Sequence, residues 1–158
     1  MAPERTPPTQ GSAPEQAAAT LTRLRRIIAL LASGTAVGGL LELAALRHWH
    51  GMQLVPWVVL AVVASAGLVV AARPGPRILP MSAGLLGLAG GVLGIQQHVA
   101  ANLALGPVLP ETAATWESLG TLHQWWLAAS GSVGATPALA PGMVALAGAL
   151  LLVSTPRR

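Results

Sequence analysis

The chain has 158 residues, of which 53% are hydrophobic and only 9% charged, with a formal charge of +4. A soluble domain is about one-quarter charged, so this balance excludes an ordinary water-facing surface and places the chain in a membrane. Cysteine is absent, which excludes disulfides, iron–sulfur clusters, thiolate metal sites and a cysteine nucleophile. The nine cations are all Arg; they flank apolar runs, and no nucleic-acid-binding motif accompanies them, so they are read as orientation signals and nucleic acid is not an expected partner.

Residues 1–20 carry Pro3, Pro7, Pro8 and Pro14 among Thr, Gln and Ser. They hold too little apolar surface to offset the entropy of ordering, so a disordered tail is expected, with a helix start near residues 14–15. Arg23, Arg25 and Arg26 then precede an apolar run at 27–46 that only Glu42 interrupts. That run is close to the roughly 20 residues that cross a bilayer. A cleaved signal peptide is the competing reading; the length of the run, Glu42 and the lack of a small-x-small cleavage site argue against it.

Further spans are expected at 54–72, 78–105 and 137–153. The connection Arg73-Pro74-Gly75-Pro76-Arg77 reads as a tight turn with no room for chemistry. In the long segment 106–136, Pro110 and Glu111 suit a helix start, and Trp116, Leu119, Leu122 and Trp126 follow at helical spacing. An amphipathic helix on the outer leaflet is expected there, with a plain loop as the alternative. The fold class is therefore all-α: an antiparallel, membrane-spanning four-helix bundle behind a disordered N-terminal tail.

Four spans put both termini on one side. Arg5, Arg23, Arg25, Arg26, Arg73, Arg77, Arg157 and Arg158 then share that side, and Arg47 alone lies on the other. Arginine-rich loops stay cytoplasmic, so both termini are expected in the cytoplasm. Trp49, Trp57, Trp116, Trp125 and Trp126 all fall toward the opposite side, as interfacial indoles do.

The same topology collects His48, His50, His98, His123, Glu42, Glu111 and Glu117 at the outer end. In span three, Gly84, Gly87, Gly91 and Gly94 recur in steps of three and four, and the stripe continues to His98 and Asn102. In span one, Gly34 and Gly38 form a GxxxG whose next step is Glu42. Small-residue stripes mark close helix contact in membranes, so Glu42 and His98 are expected to face protein and are candidates for mutual contact. Three readings compete for them. The first is interhelical glue between a carboxylate and an imidazole. The second is a zinc, copper or iron site, or a haem site, with Glu42, His98, His50, His48 and His123 as candidate ligands. Asn102, Gln97 and Glu111 would support those ligands from behind. The third is a proton relay or small-molecule site. His48 and His50 are two apart, so on a helix they diverge and could not ligate together. Hydrolase chemistry lacks a nucleophile elbow around Ser118, Ser130 or Ser132.

The strings Gly94-Ile95-Gln96-Gln97-His98-Val99-Ala100-Ala101-Asn102 and Ala135-Thr136-Pro137-Ala138-Leu139-Ala140-Pro141-Gly142-Met143 resemble a pattern of uncharacterised four-span bacterial membrane proteins. His98, Asn102, Glu111, Trp125 or Trp126, Pro137, Pro141 and Gly142 are the matching positions. The resemblance implies the four-span topology and a bacterial inner-membrane location, and it implies no reaction. The expectation is a non-catalytic accessory or structural subunit. Its expected partners are the lipid bilayer and other membrane proteins, or a second copy packed through glycine-rich helix faces.

Overall fold

The computed structural model describes residues 12–73, 75–134 and 139–156. These form α1 (Ala13–Ala45), α2 (Leu54–Ala72), α3 (Ile78–Leu105), α4 (Ala113–Trp116), α5 (Thr121–Ser130) and α6 (Leu139–Ser154), with a 3₁₀ turn at Gly51–Gln53 before α2. Among the described residues there is no strand.

Local chemistry sets the helix limits. At the start of α1 the Ser12 backbone N–H donates to Glu15 Oε2 at 2.8 Å, and Pro14 occupies the first turn, where no intrahelical acceptor exists for its missing N–H. Residues 13–20 are therefore helix and not tail; capping outweighs the polar composition that suggested disorder. Residues 1–11 of the expected tail lie outside the described residues. Pro56, Pro80 and Pro141 are each the third residue of their helix, where proline costs least. α1 ends with Arg47 at φ +53, and the His48 N–H reaches back to the Leu43 carbonyl at 2.9 Å. α5 ends in the same way on Gly131 at φ +73, the residue type that this left-handed position favours.

α1, α2 and α3 are long and apolar enough to cross a membrane. With 19 residues in α2 and 28 in α3, a rise of 1.5 Å per residue gives about 28 and 42 Å against a hydrocarbon core of about 30 Å. α6 is apolar but has 16 residues; Pro137 and Ala138, where its span was expected to begin, lie outside the described residues. No more than 33% of the apolar window of any of the three long helices is buried. Their outward faces carry Leu31, Leu41, Val58, Leu68, Leu85 and Leu93. A helix that is apolar all round, on an exterior this large, fits lipid and not water.

Inside, α1 packs on α2 and α6, while α3 packs on α2, α5 and, most extensively, α6. The shared core is built largely from small residues, with Ala32, Ala36, Ala66, Ala83 and Ala147 surrounding Leu60, Val63 and Leu151. Burying leucine gains little in lipid, so close backbone approach and interhelical hydrogen bonds take over. The Ser33 hydroxyl donates to the Ala64 carbonyl at 2.9 Å and sits directly against Gly67. On α3, Gly84 faces Leu152 and Gly148, Gly87 faces Gly148 and Val63, Gly91 faces the Ala145 backbone, and Gly94 faces Pro141. The α3 stripe thus lies against α6 with almost no side chain between them.

The corresponding expectation for α1 is corrected. Gly34 and Gly38 have nothing within 4 Å of where a Cβ would stand, and both are exposed along with Glu42. The buried face of α1 is instead Ala29, Ala32, Ser33 and Ala36, so the GxxxG points away from the other described helices.

These two stripes make opposite predictions. A methyl at Gly91 overlaps the Ala145 backbone, so Gly91→Ala should destabilise the protein by about 1–3 kcal/mol. Gly38→Ala meets open space and should be neutral or stabilising by up to about 1 kcal/mol. Thermal unfolding of both variants in detergent measures this, and equal melting temperatures would contradict the α3–α6 contact.

Candidate functional site

The candidate residues lie toward the C-termini of α1 and α3 and in the segments that follow them; there Gly39 meets Leu60 and Gly94 meets Pro141. Asn102 is the centre of this histidine end. It is fully buried, at 0% exposure, and its Nδ2 donates to the Ala128 carbonyl at 2.9 Å. Gly134, at φ +79, brings bare Cα against the Asn102 carboxamide; a Cβ there would collide with it. Asn102 therefore fastens the last turn of α5 and the following loop onto α3. His98, one turn earlier, is half-buried on α3.

The segment expected to be one amphipathic helix is two helices, broken around Gly120. Trp116 is buried against Gly106, where its ring leaves no space for a Cβ. Leu122 is 81% and Trp126 65% exposed, so these residues do not share one face as their spacing suggested. Backbone bonds fix the fold-back: Thr112 Oγ1 donates to the Gly106 carbonyl at 2.6 Å, and Gln124 Nε2 donates to the Trp116 carbonyl at 2.7 Å. α5 packs on α3 and turns Leu122, Trp125 and Trp126 outward.

Across the same end, the α1–α2 connection is closed by Trp57, whose indole N–H donates to the His48 carbonyl at 2.6 Å. Trp49 stacks on Trp57 with ring centroids 6.0 Å apart. His48 is half-buried, whereas His50, His123, Glu42, Gln97 and Glu111 are exposed. α1 and α3 are not among the extensively packed helix pairs, and Glu42 stands on an exposed position of α1. Among the described residues no three His, Asp or Glu side chains converge on a position that could hold a metal. The set Glu42, His48, His50, His98 and His123 is thus dispersed. The reason is the orientation of the α1 stripe: the expected contact required both glycine faces to meet, and only that of α3 turns inward.

Sequence reasoning missed Trp57, Thr112 and Gln124 as organisers of this end. For Trp57 a signal existed, because two tryptophans flanking a Gly-containing turn are placed to stack across it. Thr112 and Gln124 bond to backbone carbonyls several residues away, a role that spacing does not reveal. Comparison with known proteins adds no assignment: no family model, curated protein or solved structure matches the chain.

Removing the Asn102 carboxamide leaves the Ala128 carbonyl without this donor in a buried place. Asn102→Ala should cost about 1–3 kcal/mol and open residues 106–134 to protease, while Glu111→Gln, at an exposed position, should change neither. Wild-type melting and cleavage in Asn102→Ala would contradict the fastening role.

Proposed function

We propose that the chain is a small multi-pass protein of the bacterial cytoplasmic membrane, with both termini cytoplasmic, acting as a non-catalytic accessory or structural subunit. One observation carries this reading: four side-chain donors of the histidine end reach backbone carbonyls. Asn102 bonds Ala128, Thr112 bonds Gly106, Gln124 bonds Trp116 and Trp57 bonds His48. A catalytic or metal centre holds donors and acceptors aimed at a shared space; these groups hold the chain together.

The topology has separate support. Residues of α3 in rising order, Gly84, Gly87, Gly91 and Gly94, meet residues of α6 in falling order, Leu152, Gly148, Ala145 and Pro141. Ser33 and Gly39 of α1 likewise meet Gly67 and then Leu60 of α2. Such descending partners belong to antiparallel neighbours, and with α6 as the fourth crossing they describe an antiparallel four-helix bundle. The arginine distribution favours cytoplasmic termini, and Leu122, Trp125 and Trp126 on α5 suit the outer headgroup region. The outward stripe of Gly34 and Gly38 is the surface on which another membrane helix packs.

Cross-linking in native membranes, followed by mild detergent extraction, should recover the 16.0 kDa chain in a discrete larger assembly. Metal analysis and a visible spectrum of the purified protein should show no stoichiometric metal and no haem band. Recovery only as a monomer would contradict the subunit role. A metal or haem band that disappears in His98→Ala would replace it with a cofactor function.

A further inference from the structure

A cavity of about 580 Å3 opens at the opposite, arginine end of the helices. Arg25 and Arg26 of α1 and Arg73 at the end of α2 line it, facing an apolar wall that includes Val69, Val70 and Leu79. Among the described residues that line it there is no Asp or Glu. Glu15, the nearest described acidic residue along α1, lies ten residues before Arg25 and bonds the Ser12 N–H. Arg77, in the loop whose Gly75 and Pro76 form part of the wall, has its Nε–H buried with no acceptor among the described residues. The turn that the sequence suggested was too tight for chemistry thus borders this arginine-lined hollow.

Arginines that line one hollow repel one another, and the repulsion grows where water is thinned by neighbouring apolar surface. An anion would relieve it, and phosphate oxygens match the guanidinium fork with paired hydrogen bonds. The apolar wall adds a second requirement: next to the cavity, Leu68 and Ile78 expose their side chains at 54% and 70%, so apolar surface continues from it toward lipid. The ligand this geometry suits has a charged phosphate head and an acyl tail.

We propose that Arg25, Arg26 and Arg73 form a binding site for the phosphate of an anionic phospholipid of the inner leaflet. Basic pockets between membrane helices on the cytoplasmic side are suited to such headgroups. The site rests on the membrane reading given above, and it goes beyond the orientation that positive charge alone would set.

The test uses the full chain in detergent with equimolar phosphatidylglycerol and phosphatidylcholine, read by native mass spectrometry. The expected result is one retained phosphatidylglycerol with about tenfold preference. The preference should disappear in Arg25→Gln/Arg73→Gln. It should survive in Arg23→Gln/Arg47→Gln, which removes the same charge from positions that do not line the cavity. Helix content by circular dichroism is compared across the variants, and the wild-type preference stands as a readout that needs no variant. Equal retention of the two lipids, or equal loss in both variants, would overturn the site. Displacement of phosphatidylglycerol by millimolar inorganic phosphate would overturn the lipid as its source in favour of a free anion. Carbonate extraction of native membranes keeps the two failures distinct: release of the chain defeats the membrane reading and the site with it, whereas retention without lipid preference defeats the site alone.

Discussion

Two helices in lipid gain little by hiding leucine from one another, because the tails around them are equally apolar. What holds α3 to α6 is therefore how near their backbones come, and that depends on Gly84, Gly87, Gly91 and Gly148. The other elements follow from this contact. α6 has 16 described residues, and its attachment to α3 and α1 holds it in the bundle core. With α6 in place, Ala147 and Leu151 complete a core with Ala32, Val63 and Ala83 from the other long helices.

The two ends then differ in kind. At the histidine end, α3 continues beyond the contact with α6 and offers Asn102 as an anchor for α5, so that polar side chains tie a folded-back cap to backbone carbonyls. At the arginine end, Arg25, Arg26 and Arg73 line a hollow with residues of α1, α2 and α3, and no Asp or Glu stands among the described lining residues.

Much of this was legible in the sequence where composition changes abruptly. The limits of α2 and α3 follow from Arg73, Arg77 and the prolines near the helix starts, and the spacing of the α3 glycines correctly announced a close contact. Periodicity shows that a face exists; it does not show what the face meets. Hence the GxxxG of α1, by pattern as good as the stripe of α3, turned out to face outward. Trp116 and Trp126 likewise share a helical spacing, but a break at Gly120 sends one inward and leaves the other exposed. The start of α1 was legible near Pro14 and Glu15, and its capping interaction, Ser12 with Glu15, makes helix of residues 13–20, whose composition suggests disorder. The arginine cavity was invisible because its walls come from segments far apart in the chain.

The proposed arrangement of four crossings with the arginine end in the cytoplasm is tested most directly by sidedness. The chain has no cysteine, so Ser118→Cys, Gly75→Cys and Pro156→Cys, all at exposed positions, each give a unique label. Treated with a membrane-impermeant maleimide, intact cells should label position 118, and positions 75 and 156 only after permeabilisation. Labelling of position 156 in intact cells would contradict α6 as a fourth crossing, and labelling of position 75 there would reverse the orientation.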